Sequence, residues 1–217
     1  MEDHARDLEQ MVEEQIKQRG ISDPLVLEAM RRVPRHKFVP RAQAPFAFMD
    51  GPLPIGNAQT ISQPYIVALM TSLLGLRGKE NVLEIGTGSG YQAAILSTLS
   101  KKVHTVEFIP VLAETAQDNL IHLGFSNVEV HQGDGTLGWP EAAPYDGIVV
   151  TAAAPKVPEP LLEQLGNHGR LVIPIGGRWG QMLQLWERNG VHYEHEDILP
   201  VVFVPLRGEH GWKENEW

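Results

Sequence analysis

The sequence predicts an α/β fold, doubly wound around a mostly parallel sheet of seven strands, with additional helices before the sheet. Residues 81–85 form a short apolar run, glycines follow at 86, 88 and 90, and an alanine-rich segment with helical spacing comes next. A strand, a glycine loop and a helix are the first half of a βαβ nucleotide-binding unit. Further apolar runs of strand length alternate with helical segments, which favours parallel strands joined by helices.

Two helices are predicted ahead of that unit. Apolar residues at 8, 11, 12 and 16 recur at helical spacing, and Gly20 stands where a C-terminal cap belongs. The stretch Ser22-Asp23-Pro24 supplies a capping side chain followed by proline, and this second helix ends before Pro34. Because no linker rich in proline and serine follows, we expect these helices to form a layer on the main domain.

The segment at 40–63 is rich in proline, glycine, alanine and glutamine and has no clear periodicity. Long irregular segments in compact domains are usually functional or disordered. Disorder is disfavoured, because the apolar side chains at 46, 48, 49, 53 and 55 need burial. We therefore expect a loop packed over the ligand cleft, followed by a helix at 66–74 that ends near Gly75.

The rest of the chain supplies the remaining elements of the sheet. After the strand at 81–85, strands are expected at 102–107, 127–131, 146–151, 169–174, 181–186 and 198–206. Further helices are expected at 110–124 and 158–165. The last stretch, 207–217, is polar, and we expect it to be loosely ordered.

The composition limits the kind of partner. The 217 residues carry a formal charge of −9, which disfavours nucleic acid, because phosphate binding depends on clustered lysine and arginine. The absence of cysteine excludes disulfides, thiolate metal sites and a cysteine nucleophile. The N-terminal residues are polar, and no apolar run approaches the length of a membrane span. We expect a cytoplasmic monomer with neither a membrane nor a nucleic-acid partner.

The glycine loop indicates the kind of cofactor. A dinucleotide fingerprint would place a glycine at position 91, where this chain has Tyr91. The pattern is instead E-x-G-x-G-x-G, which resembles that of S-adenosylmethionine-dependent methyltransferases. A glycine triplet alone is also typical of an ordinary strand-to-helix turn. Glu107, about 20 residues past the loop, ends the next strand and favours a nucleoside-containing cofactor, because a carboxylate there binds both ribose hydroxyls.

Further stretches extend the resemblance beyond the cofactor loop. They lie at 26–40, 59–68, 82–92, 145–155 and 169–176, and the T-I-S-Q-P sequence at 60–64 is much more specific than the glycines. Along nearly its whole length the chain resembles protein-L-isoaspartate (D-aspartate) O-methyltransferases. That family's fold is a Rossmann-like methyltransferase sheet with an antiparallel final strand and added helices.

The resemblance implies one methyltransferase domain over 1–217. Residues 1–75 would supply the helices and the covering loop, 76–206 the cofactor-binding core, and 207–217 a polar tail. It also implies methyl transfer from S-adenosylmethionine to the α-carboxylate of L-isoaspartyl residues, and of D-aspartyl residues, in damaged proteins. The ester then cyclises to a succinimide, whose hydrolysis returns some normal aspartate. Arg207 departs from the family pattern, where a small or polar residue is expected near the substrate cleft.

The resemblance also assigns site residues. Ser62 is implied as the catalytic or substrate-positioning serine, and its place before Pro64 is equally typical of a helix N-cap. Asp134 stands where the family binds the adenine amino group, and an ordinary Asp-Gly turn is the competing interpretation. The implied cofactor-binding residues are Gln59, Thr60, Ile61, Glu84, Gly86, Thr87, Gly88, Ser89, Gly90, Glu107, Gly133, Asp134 and Gly135.

Two other functions stay open. A methyltransferase acting on RNA would use a related fold, although the acidic charge and the T-I-S-Q-P sequence disfavour it. A non-catalytic module that holds the cofactor would share the same motifs. No metal is expected, because the histidines are scattered except for His192 and His195, and no cysteine completes a ligand set.

Overall fold

A computed structural model describes residues 4–217, which fold around a seven-stranded sheet. The strands are β1 Leu53–Gly56, β2 Gln59–Ile61, β3 Asn81–Ile85, β4 Lys102–Glu107, β5 Val128–Gln132, β6 Tyr145–Val150, β7 Leu165–Gly177, β8 Gly180–Asn189 and β9 His192–Val201. The helices are α1 His4–Gln10, α2 Pro24–Arg32, α3 Pro64–Leu74, α4 Tyr91–Ser97, α5 Pro110–His122 and α6 Glu159–Glu163. The order across the sheet is β5-β4-β3-β6-β7-β8-β9, and β1 pairs with β2 in a separate hairpin.

The directions of the strands confirm the predicted fold class. The strands from β5 to β7 pair in parallel, whereas β7 with β8 and β8 with β9 pair antiparallel. The resemblance implied that the final strand is the antiparallel one. In the structure β8, the last strand but one, runs against the others, because two tight hairpins join β7, β8 and β9. No helix within residues 4–217 combines the length and the apolar character needed to span a bilayer.

The last strand lies earlier in the chain than the sequence predicts. β9 covers His192–Val201 instead of 198–206, and its first residues are polar and mostly exposed, so they carry no apolar signal. His192 and His195 therefore lie on a strand and face solvent. Beyond β9 the chain crosses the carboxyl end of β6, where Ala153 donates an amide hydrogen bond to Val204 O (2.8 Å).

The N-terminal helices form a layer that packs on the sheet. After α1 the chain continues through a π-helical turn and a 3-10 turn to Gly20, which ends the segment in the left-handed conformation with a φ of 99°. Asp23 caps α2, since its carboxylate accepts a hydrogen bond of 3.0 Å from the Leu25 amide. Buried apolar side chains of this layer share one core with the sheet, among them Met11, Ile16, Met30, Val82 and Val103.

The segment at 40–63 is more ordered than predicted. A 3-10 helix at Arg41–Phe46 is followed by the β1–β2 hairpin. The hairpin turns at Asn57 and Ala58 with φ of 51° and 56°, and the usual Asn-Gly turn signal is absent. Arg35, itself fully buried, donates from Nε to Ala47 O (2.8 Å) and holds this segment to the domain. The prediction of a structureless loop was therefore wrong, although the segment does pack over the cleft.

Candidate active site

The glycine loop joins the carboxyl end of β3 to the start of α4. Gly86 has a φ of +94°, and a Cβ there would lie 2.4 Å from Thr151 Oγ1, so both backbone conformation and space require glycine. A Cβ on Gly135 would lie 2.5 Å from Ile85 Cγ2, because the backbone after β5 passes close to β3. Glycine at these two positions therefore lets the loops after β3 and β5 pack closely against the neighbouring strand ends.

Glu107 lies at the carboxyl end of β4 beside the glycine loop. Its Oε2 accepts a hydrogen bond from the Gly88 amide (2.8 Å), and its Oε1 accepts one from the Ile109 amide (2.9 Å). The side chain is buried. A carboxylate has about four lone-pair sites, so each oxygen keeps capacity for one more donor. Glu107 is thus fixed in place and still able to bind a pair of hydroxyl groups.

Glu84 lies beneath the glycine loop and has no access to solvent. Thr105 donates a hydrogen bond of 2.5 Å to Glu84 Oε2. The hydroxyl oxygen of Thr87, in the loop, is 2.7 Å from the hydroxyl oxygen of Thr105. Oε1 of the same carboxyl group is buried without a hydrogen-bond partner. Burial, together with the charge of Glu107, raises the pKa of Glu84 to about 8, although the hydrogen bond from Thr105 opposes this shift. Glu84 therefore supports the loop from below.

A cleft of about 830 Å³, counting its open mouth, lies over these strand ends. Of the residues that the sequence assigns to the site, those that line it are Gln59, Thr60, Ile61, Ser62, Gly86, Thr87, Gly88, Ser89, Glu107 and Gly135. Four other residues that the sequence assigns to the site are not among the described residues that line this cleft: Glu84, Gly90, Gly133 and Asp134. The structure thus brings together the T-I-S-Q-P sequence, the glycine loop and Glu107 around one space.

A second, larger cleft of about 1290 Å³ adjoins the first. Its walls come from the β1–β2 segment, the start of α3, the β7–β8 turn and the chain at 199–204. Thr60, Ser62, Thr151 and Val204 line both clefts. A ligand in the first cleft and a ligand in the second would therefore meet at these four residues.

Ser62 stands between β2 and α3, where it is partly exposed. The N-cap of α3 is Gln63, and within the described part of the chain no side chain caps this helix. The N-cap interpretation of Ser62 was therefore wrong. Ser62 lines both clefts and so stands at their junction.

Asp134 has partners within the protein. Its Oδ1 accepts hydrogen bonds from the amide (2.9 Å) and the hydroxyl (2.6 Å) of Thr136, and its Oδ2 accepts one from the Glu209 amide (2.7 Å). The carboxylate thus caps the 3-10 turn Gly135–Leu137 and fastens the C-terminal segment. These contacts agree with the turn interpretation, and the adenine contact stays a prediction.

The C-terminal segment packs on the domain, so the expectation of a loosely ordered tail was wrong. Besides the bond to Asp134, Trp212 N donates to Leu206 O (2.8 Å), and the Arg207 guanidinium donates to Trp212 O (3.1 Å). The rings of Trp212 and Trp217 meet edge to face with centroids 5.6 Å apart. Arg207 also lines the first cleft, so the residue that departs from the family pattern lies at the site.

Sequence reasoning missed several residues that line the first cleft. Phe108 follows Glu107 directly and is about half exposed at 51%, and its position at the strand end was a usable signal. Thr151 follows β6 at the same edge of the sheet and donates from Oγ1 to Gly86 O (2.6 Å). The residues at 204–206 were hidden because they were assigned to a strand.

A nucleoside cofactor fits these residues, because the glycine loop lines the cleft and Glu107 keeps unused acceptor sites beside it. The fold and the cleft define an S-adenosylmethionine-dependent methyltransferase. The model of one family, protein-L-isoaspartate(D-aspartate) O-methyltransferase, matches residues 6–211. The chain belongs to that family, and the family, enzyme class and cofactor predicted from the sequence are confirmed.

Similar proteins cover nearly the whole chain. A protein-L-isoaspartate O-methyltransferase of Methanoregula boonei is 57% identical over 203 residues, which are 94% of each chain. One of Methanospirillum hungatei is 54% identical over 217 residues, which are 100% of each chain. A solved structure of a protein-L-isoaspartate O-methyltransferase has a TM-score of 0.84 at 31% identity and covers 95% of this chain and 67% of its own.

A second solved structure shares the fold. It comes from Plasmodium falciparum, is described as a beta-aspartate methyltransferase in complex with S-adenosyl-L-homocysteine, and has a TM-score of 0.80 at 24% identity. The match covers 92% of this chain and 98% of that one. At this identity the likeness supports the arrangement of strands and helices.

Proposed function

We propose that the chain transfers a methyl group from S-adenosylmethionine to the α-carboxylate of L-isoaspartyl residues, and of D-aspartyl residues, in damaged proteins and peptides. The observation that carries this proposal is the junction of two clefts at Ser62. The first cleft has the glycine loop and the carboxylate that suit the methyl donor, and the second is large enough for a peptide. Membership of the family supports the choice of substrate.

The chain's own groups hold the donor in the first cleft. The cofactor supplies an activated methyl group on a positively charged sulfur. Glu107 would accept hydrogen bonds from the ribose hydroxyls, and the glycine loop would lie along the methionine part. Phe108 offers an apolar face to the base, and Asp134 is proposed as the acceptor for its amino group.

The substrate carboxylate needs no general base. Its ordinary pKa is about 4, so it is ionised at neutral pH. Its oxygen forms the new bond to the methyl carbon while the bond from that carbon to sulfur breaks and sulfur keeps the electron pair. Ser62 would donate a hydrogen bond to this carboxylate and orient it, which raises the rate by positioning.

The second cleft has features that suit a peptide. Trp179, at the β7–β8 turn, is 94% exposed, and Val202, which lines the same cleft, is 86% exposed. Exposed apolar side chains that line a groove are typical of a binding surface. An isoaspartyl residue carries a free α-carboxylate where an ordinary residue has an amide, so a carboxylate that reaches Ser62 would distinguish the two linkages.

Transfer of a labelled methyl group to matched peptides tests the proposal. Two peptides are compared that are identical except that one linkage is isoaspartyl in the first and aspartyl in the second. Transfer RNA is tested as a third acceptor, and a reaction without acceptor gives the background. We expect label on the isoaspartyl peptide alone, released by mild base as expected for a methyl ester. Equal methylation of both peptides, or label on the RNA, would contradict the assignment, and a complete lack of turnover would favour a non-catalytic module.

We also propose that the chain acts as a monomer, because residues of one chain line both clefts. Sedimentation velocity at micromolar concentration would show the mass of one chain, and a dimer mass would contradict the proposal. The absence of nucleic-acid partners and the cytoplasmic location remain predictions from the sequence.

A further inference from the structure

Three side chains that the proposed reaction does not use lie together on one face of the β4–β5 edge. His104 is on β4, and Glu129 and His131 are on β5. Glu129 is the register partner of His104, and strand alternation places His131 on the same face. His104 Nδ1 is 3.2 Å from His131 Nε2, and Glu129 Oε2 is 3.5 Å from the first nitrogen and 4.0 Å from the second.

We propose that His104, Glu129 and His131 bind a divalent transition metal, with zinc the best fit. Two imidazoles and one carboxylate form a zinc donor set that leaves a fourth position for water. At Zn–N distances of about 2.0–2.1 Å and a tetrahedral angle, two nitrogens stand about 3.3–3.4 Å apart. The separation of 3.2 Å between the two ring nitrogens is close to that value.

The carboxylate can complete the set with a small movement. The Glu129 side chain is 52% exposed, so it can rotate without repacking, and it leaves a path for the ion from solvent. Lys102 Nζ lies 2.6 Å from Glu129 Oε1 and holds that oxygen, which leaves Oε2 to face the histidines. Such outer contacts orient a ligand for its metal.

Aromatic neighbours fix the two imidazole rings. Trp139 stacks on His131 with ring centroids 3.9 Å apart and planes inclined by 14°, and Tyr145 meets His104 edge to face at 6.2 Å. The His104 side chain is 10% exposed and that of His131 16%, so both rings are largely shielded from water. The packing and the burial hold both rings in one orientation, as is usual for a histidine that ligates a metal.

A hydrogen bond between the two histidines explains the short distance without any metal. A metal site would bind added zinc, whereas a hydrogen bond between the histidines alone would not. The donor set favours the metal site, because a carboxylate oxygen of Glu129 lies near both ring nitrogens. The cluster lies outside both clefts, so binding can be measured without reference to methyl transfer. The sequence predicts no metal, because its histidines are scattered apart from His192 and His195 and no cysteine completes a ligand set. His104 and His131 are 27 positions apart and meet only in the folded sheet, and the proposed site replaces that prediction.

The test uses the full chain without a histidine tag, treated with a chelator and then freed of it. Zinc chloride is titrated by calorimetry, and cobalt(II) is used as a visible probe of tetrahedral coordination. We expect one equivalent of zinc, tetrahedral cobalt bands, and a higher unfolding temperature with zinc, because an ion that binds the folded chain stabilises it. Absence of zinc binding in the unaltered chain would overturn the inference.

Variants locate the ion. Glu129→Gln changes an exposed side chain and His131→Gln a partly exposed one, so both are expected to fold. Each should weaken zinc binding by more than about 100-fold, because the loss of an outer contact typically costs roughly 10–100-fold. The matched control is the double variant His192→Gln/His195→Gln, which removes two exposed histidines of β9 and should bind zinc as the unaltered chain does. Unchanged affinity in Glu129→Gln and His131→Gln, or loss of the site in the β9 control, would show adventitious binding and overturn the inference.

Discussion

The Gly88 amide donates a hydrogen bond of 2.8 Å to the Glu107 carboxylate. This bond joins the glycine loop, which follows β3, to the end of β4. The other carboxylate oxygen accepts from the Ile109 amide (2.9 Å). Glu107 therefore sets the position of the loop and also presents its remaining acceptor sites to the cleft.

Glu107→Ala should weaken cofactor binding by about tenfold or more. Hydrogen bonds to a charged group are worth roughly 1.5–3 kcal/mol each, and the change removes the acceptor proposed for both ribose hydroxyls. Calorimetry with S-adenosylhomocysteine measures the dissociation constant. Glu114→Gln, which removes an exposed carboxylate from α5, is the control for charge. An unchanged dissociation constant in folded Glu107→Ala would remove this residue from the cofactor site.

Ser62→Ala should lower turnover by some tens-fold and leave cofactor affinity nearly intact. Loss of one hydrogen bond to a carboxylate costs roughly 1.5–3 kcal/mol in the transition state. Steady-state kinetics with an isoaspartyl peptide measures the effect, and Ser126→Ala, in the exposed turn before β5, is the matched control.

The pH–rate profile of the same Ser62→Ala variant tests the mechanism. Because the nucleophile is already ionised, no essential base should titrate near neutral pH in either protein. A loss of activity by many orders of magnitude, or an ionisation near pH 7 that disappears in the variant, would show that Ser62 transfers a proton or forms a covalent bond.

Glu84→Gln should make the stability of the protein less dependent on pH. Burial raises the pKa of Glu84 to about 8 from 4.5, so between these values the folded chain holds a proton that the unfolded chain has released. The contribution of Glu84 to stability is therefore full below about pH 4.5 and is lost as the pH rises through about 8. Unfolding temperatures across this range would fall more steeply for the unaltered chain than for Glu84→Gln. Parallel curves would contradict a neutral Glu84.

Arg35→Ala should lower the free energy of unfolding by about 2–5 kcal/mol. The change leaves the Ala47 carbonyl without its donor, which costs about 1–3 kcal/mol, and it opens a cavity in the core. Unfolding in urea measures the loss, and Arg41→Ala, at an exposed position of the neighbouring 3-10 helix, is the control. A change within about 0.5 kcal/mol, the range of ordinary surface substitutions, would show that Arg35 does not hold the segment.

The parallel part of the sheet could be predicted because its short strands carry valine, isoleucine or threonine and alternate with helical segments. β9 could not be placed, because its exposed start has no apolar alternation, and the β1–β2 hairpin turns at Asn57-Ala58 without a turn signal. Both errors concern strands at or near the surface, where burial leaves little trace in the sequence.

The cofactor half of the site could be predicted because the glycines and Glu107 lie within one βαβ unit. The substrate half could not, because its walls combine the stretch at 60–66 with residues at 199–204. The contact between Asp134 and the Glu209 amide spans 75 positions, and no local pattern indicates it.

Attachment of the segment at 204–209 to the cofactor edge links the first cleft to the completion of the sheet. Residues 204–207 line that cleft and the Glu209 amide donates to Asp134, although all of them follow β9 in the chain. Domains generally fold as units during synthesis. The first cleft therefore gains this wall only after every strand of the sheet has been synthesised.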